Sequence, residues 1–213
     1  MSAALLTDRQ IREAVAGRMT APGEPESTFT EGVSGRGIIS YGLSSAGYDF
    51  RLGDKVKAFT AVHSPVIDPL EVDLLAFADL APRYFSKFWP NPDGGHLPDI
   101  KRDYRYVVIP PRGYVLGETV EYIDVPEDVL IVVLGKSTYA RSGIIVNCTP
   151  LEPGWRGRVT LEIGNLSEVP AKVYLGMGIA QALFFRLAEK CERSYNNKPG
   201  KYQDQKGLEF AKA

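Results

Sequence analysis

Short runs of β-forming residues, broken by proline and glycine, constrain the fold of this chain more than any other feature of its sequence. They include residues 104–109 (YRYVVI), 129–134 (VLIVVL), 144–147 (IIVN) and 158–163 (RVTLEI). Val, Ile, Tyr and Phe favour pleated strands, whereas Pro and Gly interrupt them. Strands of this length at this spacing predict a sandwich or barrel rather than a sheet built from βαβ units.

Helical periodicity is found at the start of the chain and in one internal segment. Thr7 is a suitable N-cap, and the pattern after it predicts a short helix over residues 7–15. The apolar residues at helical spacing are Ile11, Ala14 and Val15. Residues 71–85 carry a second amphipathic pattern. Residues 1–37 form an N-terminal segment of helix and loop, in which residues 21–37 have loop composition. We therefore expect a mainly β protein with a short N-terminal helix.

Length and charge indicate one ordinary domain spanning residues 1–213. A chain of 213 residues with 44% hydrophobic content can bury one core. A formal net charge of -1 lacks the unopposed cations of a nucleic-acid-binding surface. The first residues do not resemble a signal peptide, and no apolar run approaches the roughly 18 residues of a membrane helix. We expect a cytoplasmic protein that binds neither nucleic acid nor membrane.

The scarcity of metal-binding residue types argues against a zinc site. The chain has only His63 and His96, together with Cys148 and Cys191, and neither cysteine belongs to a CxxC pair. Zinc sites use three or four His, Cys or carboxylate ligands at characteristic spacings. We therefore expect no metal bound by protein side chains, and too few cysteines for a disulfide framework.

Residues 135–143 (GKSTYARSG) bring a cation, hydroxyl groups and glycine backbone into one short segment. Such a segment suits phosphate oxygens, especially where it begins a helical turn. Ser137 and Arg141 are four positions apart, so they share one side both in a helical turn and in a strand. The spacing is not that of a P-loop, and a solvent-exposed turn is the alternative interpretation.

Residues 151–165 (LEPGWRGRVTLEIGN) are typical of a turn followed by a strand. The apolar face of that strand would carry Val159, Leu161 and Ile163. Thr160 and Glu162 would then share the opposite face. In a pocket, Glu162 would have the raised proton affinity that suits a general base. A glutamate facing water is the alternative.

The polar, glycine-containing C-terminal segment, residues 192–213, is expected to be mobile. Tyr195, Lys201 and Gln205 place a hydroxyl, a cation and an amide along it. Together they could close over an anionic ligand as a lid. A disordered terminus is the alternative interpretation.

Several segments together resemble the deoxycytidine-triphosphate (dCTP) deaminase family, which belongs to the trimeric deoxyuridine-triphosphatase (dUTPase) superfamily. They are ISYGLSSAGYDFRL, EYIDVPEDVL, GKSTYARSGIIVNCTPLEPGWRGRVTLEIGN, GIAQALFF and SYNNKPGKYQDQKG, and they run in family order over most of residues 38–207. The resemblance implies a distorted jelly-roll or β-barrel and a homotrimer with active sites between subunits. It also implies deamination of dCTP to dUTP and ammonia for pyrimidine deoxynucleotide synthesis.

The resemblance further implies roles for individual residues. The family's (R/K)S(S/T)xAR and VTLE motifs assign catalysis to Ser137, Arg141 and Glu162, with Glu162 as a general base that activates water without zinc. The nucleotide contacts implied by the same matching are Lys136, Ser137, Thr138, Tyr139, Ala140, Arg141, Glu152, Thr160, Leu161, Glu162, Gln181, Tyr195, Lys201 and Gln205. Mg²⁺ would accompany the triphosphate, and inhibition by thymidine triphosphate is left open.

Two departures from the family pattern leave alternatives open. Many members have aspartate where this chain has Glu152, and residues 74–105 look longer than usual, as an ordered insertion would. The alternatives are a bifunctional enzyme that also cleaves dUTP to dUMP, a dUTP pyrophosphatase, and a nucleotide-binding regulator without catalysis. The KSTYAR and VTLE segments favour deamination, because a pyrophosphatase needs no glutamate that expels an amine.

Overall fold

Strands dominate the computed structural model, which describes residues 4–60, 68–90, 100–198 and 200–212. The strands are β1 (Ala4–Leu5), β2 (Val33–Gly35), β3 (Ile38–Ser44), β4 (Gly47–Phe59), β5 (Phe77–Asp79), β6 (Arg83–Trp89), β7 (Ile100–Ile109), β8 (Tyr114–Asp124), β9 (Val129–Gly135), β10 (Ile144–Asn147), β11 (Arg156–Asn165), β12 (Ala171–Tyr174) and β13 (Gly178–Arg186). The helices are α1 (Asp8–Val15) and α2 (Ser137–Ala140), with 3-10 turns at Ala16–Arg18, Leu74–Ala76 and Tyr195–Asn197. The expected mainly β class with a short N-terminal helix is confirmed.

Most described strands belong to one curled sheet. Within the described ranges it has ten strands. Six follow the path β1-β13-β4-β8-β11-β10, and the other four, β2, β3, β5 and β9, lie off this path. The long strand β4 joins two halves, since its first part pairs with β3 and β13 and its last part pairs with β5 and β8. β12, β7 and β6 form a second, three-stranded sheet.

The core is built from buried residues of both halves of the curled sheet. Tyr48, Phe50 and Leu52 of β4 are fully buried in it. α1 adds Ile11 and Val15, which are buried on one face of the helix. The predicted helix is therefore confirmed, and none of the described helices is long and apolar enough to span a membrane.

The amphipathic segment at residues 71–85 does not form an α-helix, so that expectation is wrong. It contains the Leu74–Ala76 turn, β5 and the beginning of β6. β5 pairs with the end of β4, and Phe77 packs against Phe59 with ring centroids 5.7 Å apart. Pro82, which lies between β5 and β6, lacks the backbone donor that a helix interior needs. Pairing with the sheet thus outweighs the local helical pattern.

The described part of residues 74–105 ends in a β6–β7 hairpin anchored to the rest of the protein. Phe85 stacks on Tyr104 with centroids 4.8 Å apart. Trp89 Nε1 donates to the Tyr104 hydroxyl at 2.6 Å, and that hydroxyl donates to the Gly37 carbonyl at 2.9 Å. Where it is described, the excursion therefore packs against β7 and the turn before β3. Residues 91–99, including His96, lie outside the described residues, and an insertion relative to the family stays a prediction.

A buried ion pair links β4 to β8 within the core. The Glu121 side chain is fully buried, and Arg51 is 19% exposed. Arg51 donates from Nε to Glu121 Oε1 at 2.7 Å and from its backbone N–H to Oε2 at 2.8 Å. Burial raises the pKa of Glu121, whereas the guanidinium lowers it. The carboxylate therefore depends on Arg51 to stay ionised.

Replacing Arg51 with methionine should destabilise the fold by about 3–5 kcal/mol near neutral pH, because it leaves a buried carboxylate without its cation. Loss of the cation raises the pKa of Glu121 further. The folded state then binds the proton more tightly than the unfolded state, so the loss of stability should shrink as the pH falls. Urea unfolding at pH 5.5 and pH 8 measures both effects.

The matched control is Arg9→Met, which removes the exposed pair between Arg9 and Glu13 and should change stability by less than about 0.5 kcal/mol. Equal losses of stability in the two variants at both pH values would contradict a special role for the buried pair.

Candidate active site

A cleft of about 640 Å³ opens beside β11, between the loop that precedes this strand, the β5 region and the C-terminal segment. It contains several of the residues singled out from the sequence. These are Glu152, Thr160, Glu162, Tyr195 and Gln205. The structure thus brings residues of the 151–165 segment and of the C-terminal segment 192–213 into one site.

The alternation of β11 places Glu162 on the wall of this cleft. Val159, Leu161 and Ile163 are buried, as expected from the sequence. Thr160 and Glu162 are half-buried on the opposite face and line the cleft. The predicted orientation of the strand is confirmed. Because the Leu161 side chain lies in the core, any nucleotide contact of this residue has to come from its backbone.

Glu162 lies among neutral groups rather than cations. Desolvation by burial raises its pKa, and a hydrogen bond from Asn147 Nδ2 to Oε2, 2.7 Å long, lowers it. Burial and the nearby Glu162 charge raise the pKa of Tyr114 to about 12 and that of Cys148 to about 12. The phenol and the thiol therefore stay protonated near neutral pH, and Glu162 is the group of this cluster that is able to accept a proton.

Glu152 faces the same cleft from the loop before β11. Its carboxylate forms an ion pair with Lys198 of the C-terminal segment. Lys198 in turn lies over the Tyr195 ring, 5.2 Å from the centroid. One predicted contact residue is thus tied to another through a lysine that the sequence patterns did not indicate.

The C-terminal segment runs along β11 and covers part of the cleft. Gln205 is buried, and its amide donates to Thr160 Oγ1. Its carbonyl accepts from the Arg158 backbone N–H at 2.8 Å. Further along, Phe210 packs on Phe77 with ring centroids 4.8 Å apart. Lys201 is exposed and does not line the cleft. The mobility predicted for this segment stays a prediction.

The segment that carries Ser137 and Arg141 does not reach the Glu162 cleft of its own chain. It forms the single helical turn α2 and the residue after it, and none of residues 136–141 lines the cleft. Ser137, Thr138, Ala140 and Arg141 are exposed. The Tyr139 side chain is buried, and its hydroxyl accepts from the Tyr174 backbone N–H at 2.9 Å. Tyr139 therefore serves the core, and only its backbone is available to a nucleotide.

Sequence reasoning missed a carboxylate beside the predicted phosphate-binding lysine. Lys136 forms a largely buried ion pair with Asp49 of β4, a segment to which the sequence patterns assigned no chemistry. Asp49 Oδ1 is buried and has no hydrogen-bond partner among the described residues. Gln181, another predicted contact residue, lies directly opposite Asp49 on β13. The sequence signal that could have indicated this ion pair is the single acidic residue, Asp49, between Tyr48 and Phe50.

The expectation of no protein-bound metal stays a prediction. Over residues 4–60, 68–90, 100–198 and 200–212, no group of three or more His, Cys, Asp or Glu side chains is placed to hold a metal ion. Both histidines, His63 and His96, lie outside these ranges.

Known proteins resemble this chain over almost its whole length. A family model described as "dCTP deaminase-like" matches residues 6–187. A dCTP deaminase of Bordetella pertussis is 46% identical over 202 residues, 95% of each chain. A dCTP deaminase of Acinetobacter baylyi is 43% identical over 210 residues, 99% of this chain and 100% of the other.

A solved structure supports the fold. The crystal structure of 2'-deoxycytidine 5'-triphosphate deaminase from Agrobacterium tumefaciens matches with a TM-score of 0.54 and 16% sequence identity. The match covers 87% of this chain and 49% of that chain, so this chain spans about half of it. The family inferred from the sequence motifs is confirmed, and the chain belongs to the dCTP deaminase-like family.

Proposed function

We propose that this protein hydrolyses dCTP to dUTP and ammonia, with Glu162 as the general base. The observation that carries the proposal is the half-buried Glu162 carboxylate on the cleft wall, where burial raises its pKa. Identities of 43% and 46% over nearly the whole chain to proteins named dCTP deaminase support the substrate.

The reaction needs a base that takes up and returns protons. Glu162 removes a proton from water as the oxygen attacks C4 of the cytosine ring, and the proton passes to N3. The second proton of that oxygen then moves to the amino group through Glu162. The C4–N bond breaks, ammonia leaves, and C4 becomes a carbonyl. A base whose pKa lies nearer to neutrality than that of an ordinary carboxyl suits both transfers.

We further propose that Ser137 and Arg141 act in the cleft of a neighbouring subunit of a homotrimer. Both are exposed, and both lie outside the cleft of their own chain. Arg141 has no ion-pair partner within the part of the chain that the structure describes. Ser137 would orient the attacking water, and Arg141 would hold Ser137 in place.

The triphosphate would be bound by Lys136 and Lys201 and covered by the C-terminal segment. Mg²⁺ would travel with the substrate, held by phosphate oxygens and water. Closure of the segment over the cleft would exclude bulk water, which strengthens the hydrogen bonds that stabilise the developing charge.

Product analysis tests the proposed reaction. Incubation with dCTP and Mg²⁺ should release one ammonia per dUTP formed, unaffected by a zinc chelator. Accumulation of dUMP and pyrophosphate from dCTP would instead identify the bifunctional enzyme. Cleavage of dUTP without ammonia release from dCTP would identify a pyrophosphatase, and tight dCTP binding without any product a regulator.

Glu162→Gln should lower kcat by about 10²- to 10⁴-fold, the usual contribution of a general base, while dCTP still binds. In the parent protein, activity should fall on the acid side as Glu162 becomes protonated. Because burial raises its pKa, this fall should centre above the ordinary glutamate value. Stopped assays across pH and calorimetric binding measure both effects. Turnover of the variant within tenfold of the parent would rule out Glu162 as the base.

Gln205→Ala should raise the KM for dCTP roughly tenfold, because it removes the hydrogen bond that holds the C-terminal segment on Thr160. The adjacent Lys206 is exposed and provides a matched control. Lys206→Ala should leave KM within about twofold. Equal KM values in the two variants would count against a covering role for the segment.

A further inference from the structure

We infer that Asn147 is a positioning residue for the reaction, which fixes one oxygen of Glu162 and leaves the other free to accept a proton from water. The inference rests on the proposed role of Glu162 as the base. It adds a residue from β10 that neither the sequence motifs nor the comparisons indicate.

The contact between the two residues is set by the sheet. Asn147 and Glu162 are directly opposite each other in the antiparallel β10–β11 pair. Opposite residues of such a pair point to the same face, with Cβ atoms about 5 Å apart. The 2.7 Å hydrogen bond between their side chains is therefore supported by backbone pairing and does not depend on a loop.

The chemistry of the two side chains determines the direction of the hydrogen bond between them. An ionised carboxylate offers only acceptors, so Asn147 must present its NH₂ group. Oε2 accepts this hydrogen bond, and Oε1 has no side-chain partner within the described ranges. One carboxylate oxygen is thus held against rotation, while the other is available to the attacking water.

A neutral donor suits this task better than a cation. Burial raises the pKa of Glu162, and the Asn147 hydrogen bond opposes that effect. A lysine or arginine here would stabilise the ionised form much more strongly and make Glu162 a weaker base. The amide restrains the carboxylate geometrically without suppressing its proton affinity.

Other titratable groups near Glu162 leave this role to Asn147. Tyr114 and Cys148 lie close enough for the Glu162 charge to raise their pKa values. Lys57 lies in the same cross-strand row, beyond Leu116, but it forms an ion pair with Asp79 at 2.8 Å. The remaining carboxylates of the cleft are Asp68, Asp73, Glu152 and Glu209. Among the described residues, Asn147 provides the hydrogen bond that Glu162 accepts from a side chain.

Asn147→Ala and the isosteric Asn147→Asp test the inference through the protonation of Glu162. The fall of kcat at low pH, the acid limb of its pH profile, should move to higher pH in Asn147→Ala. The reason is that this variant loses the hydrogen bond that favours ionised Glu162. The acid limb should move further in Asn147→Asp. There two carboxylates would lie side by side, and they hold one shared proton because two adjacent negative charges repel each other. At pH 7 we expect kcat to fall about 10- to 100-fold with KM within about twofold, as for a misplaced base.

The matched control is Ser86→Ala. Ser86 donates to Asp103 at 2.5 Å across the directly opposite positions of β6 and β7, outside the cleft. Removing this donor should leave both kcat and the acid limb unchanged. Melting temperatures of all variants separate a loss of folding from a loss of positioning.

Carbon-13 NMR of the Glu162 carboxyl group separates this inference from the proposed function, because it needs no activity. Glu162→Gln identifies the signal. A higher titration midpoint in Asn147→Ala than in the parent supports the inference, because it shows that Asn147 stabilises the ionised Glu162 carboxylate. A fully active Glu162→Gln overturns the proposed function, and with it the role of Asn147 in the reaction, even if the midpoint moves. An unchanged titration midpoint overturns the inference. A raised KM with unchanged kcat and an unchanged acid limb also overturns it, because that result shows that Asn147 contacts the substrate directly.

Discussion

The register of β11 is the constraint on which the proposed chemistry depends. β11 pairs with β8 on one side and β10 on the other, so its face toward the cleft is fixed by two ladders of backbone hydrogen bonds. A slip by one residue would turn Glu162 into the core and Leu161 into the cleft. The burial of Val159, Leu161 and Ile163 opposes that slip, because three apolar side chains would have to face water. Core packing thereby holds Glu162 in the orientation that the proposed chemistry needs.

Three of the carboxylates that the described chain removes from water differ in the group that binds them. Glu121 is fully buried and is bound by Arg51. Asp49 is nearly buried and is bound by Lys136, with one oxygen lacking a hydrogen bond. Glu162 is half-buried and accepts its hydrogen bond from an amide. A cation stabilises a permanent charge, whereas a neutral donor leaves a carboxylate able to gain and lose a proton. The environment of Glu162 is thus the one that suits a base.

Local patterns predicted the parts of the structure that depend on near neighbours in sequence. The α1 helix and the two faces of β11 follow from residue spacing, and both agree with the structure. Longer-range contacts were not predictable in this way. The pairs Asn147–Glu162 and Lys136–Asp49 join different strands, and they depend on a register that no single segment encodes. The burial of Tyr139 was missed for the same reason, since its partner Tyr174 is on another strand.

The separation of the motif residues within one chain bears on how the site is completed. Glu162 and Gln205 line one cleft, but Ser137 and Arg141 are exposed and lie outside the lining of that cleft. Exposed polar residues gain little for the stability of a single chain, so folding alone does not account for a serine and an arginine at these positions. A partner subunit whose cleft contains these two residues would account for them. Such an arrangement would also place the water-orienting serine and the base on different rigid bodies, so that the reactive geometry forms only when subunits associate. In the proposed site, the fold of one chain would supply the base, and association would supply the group that directs water to it.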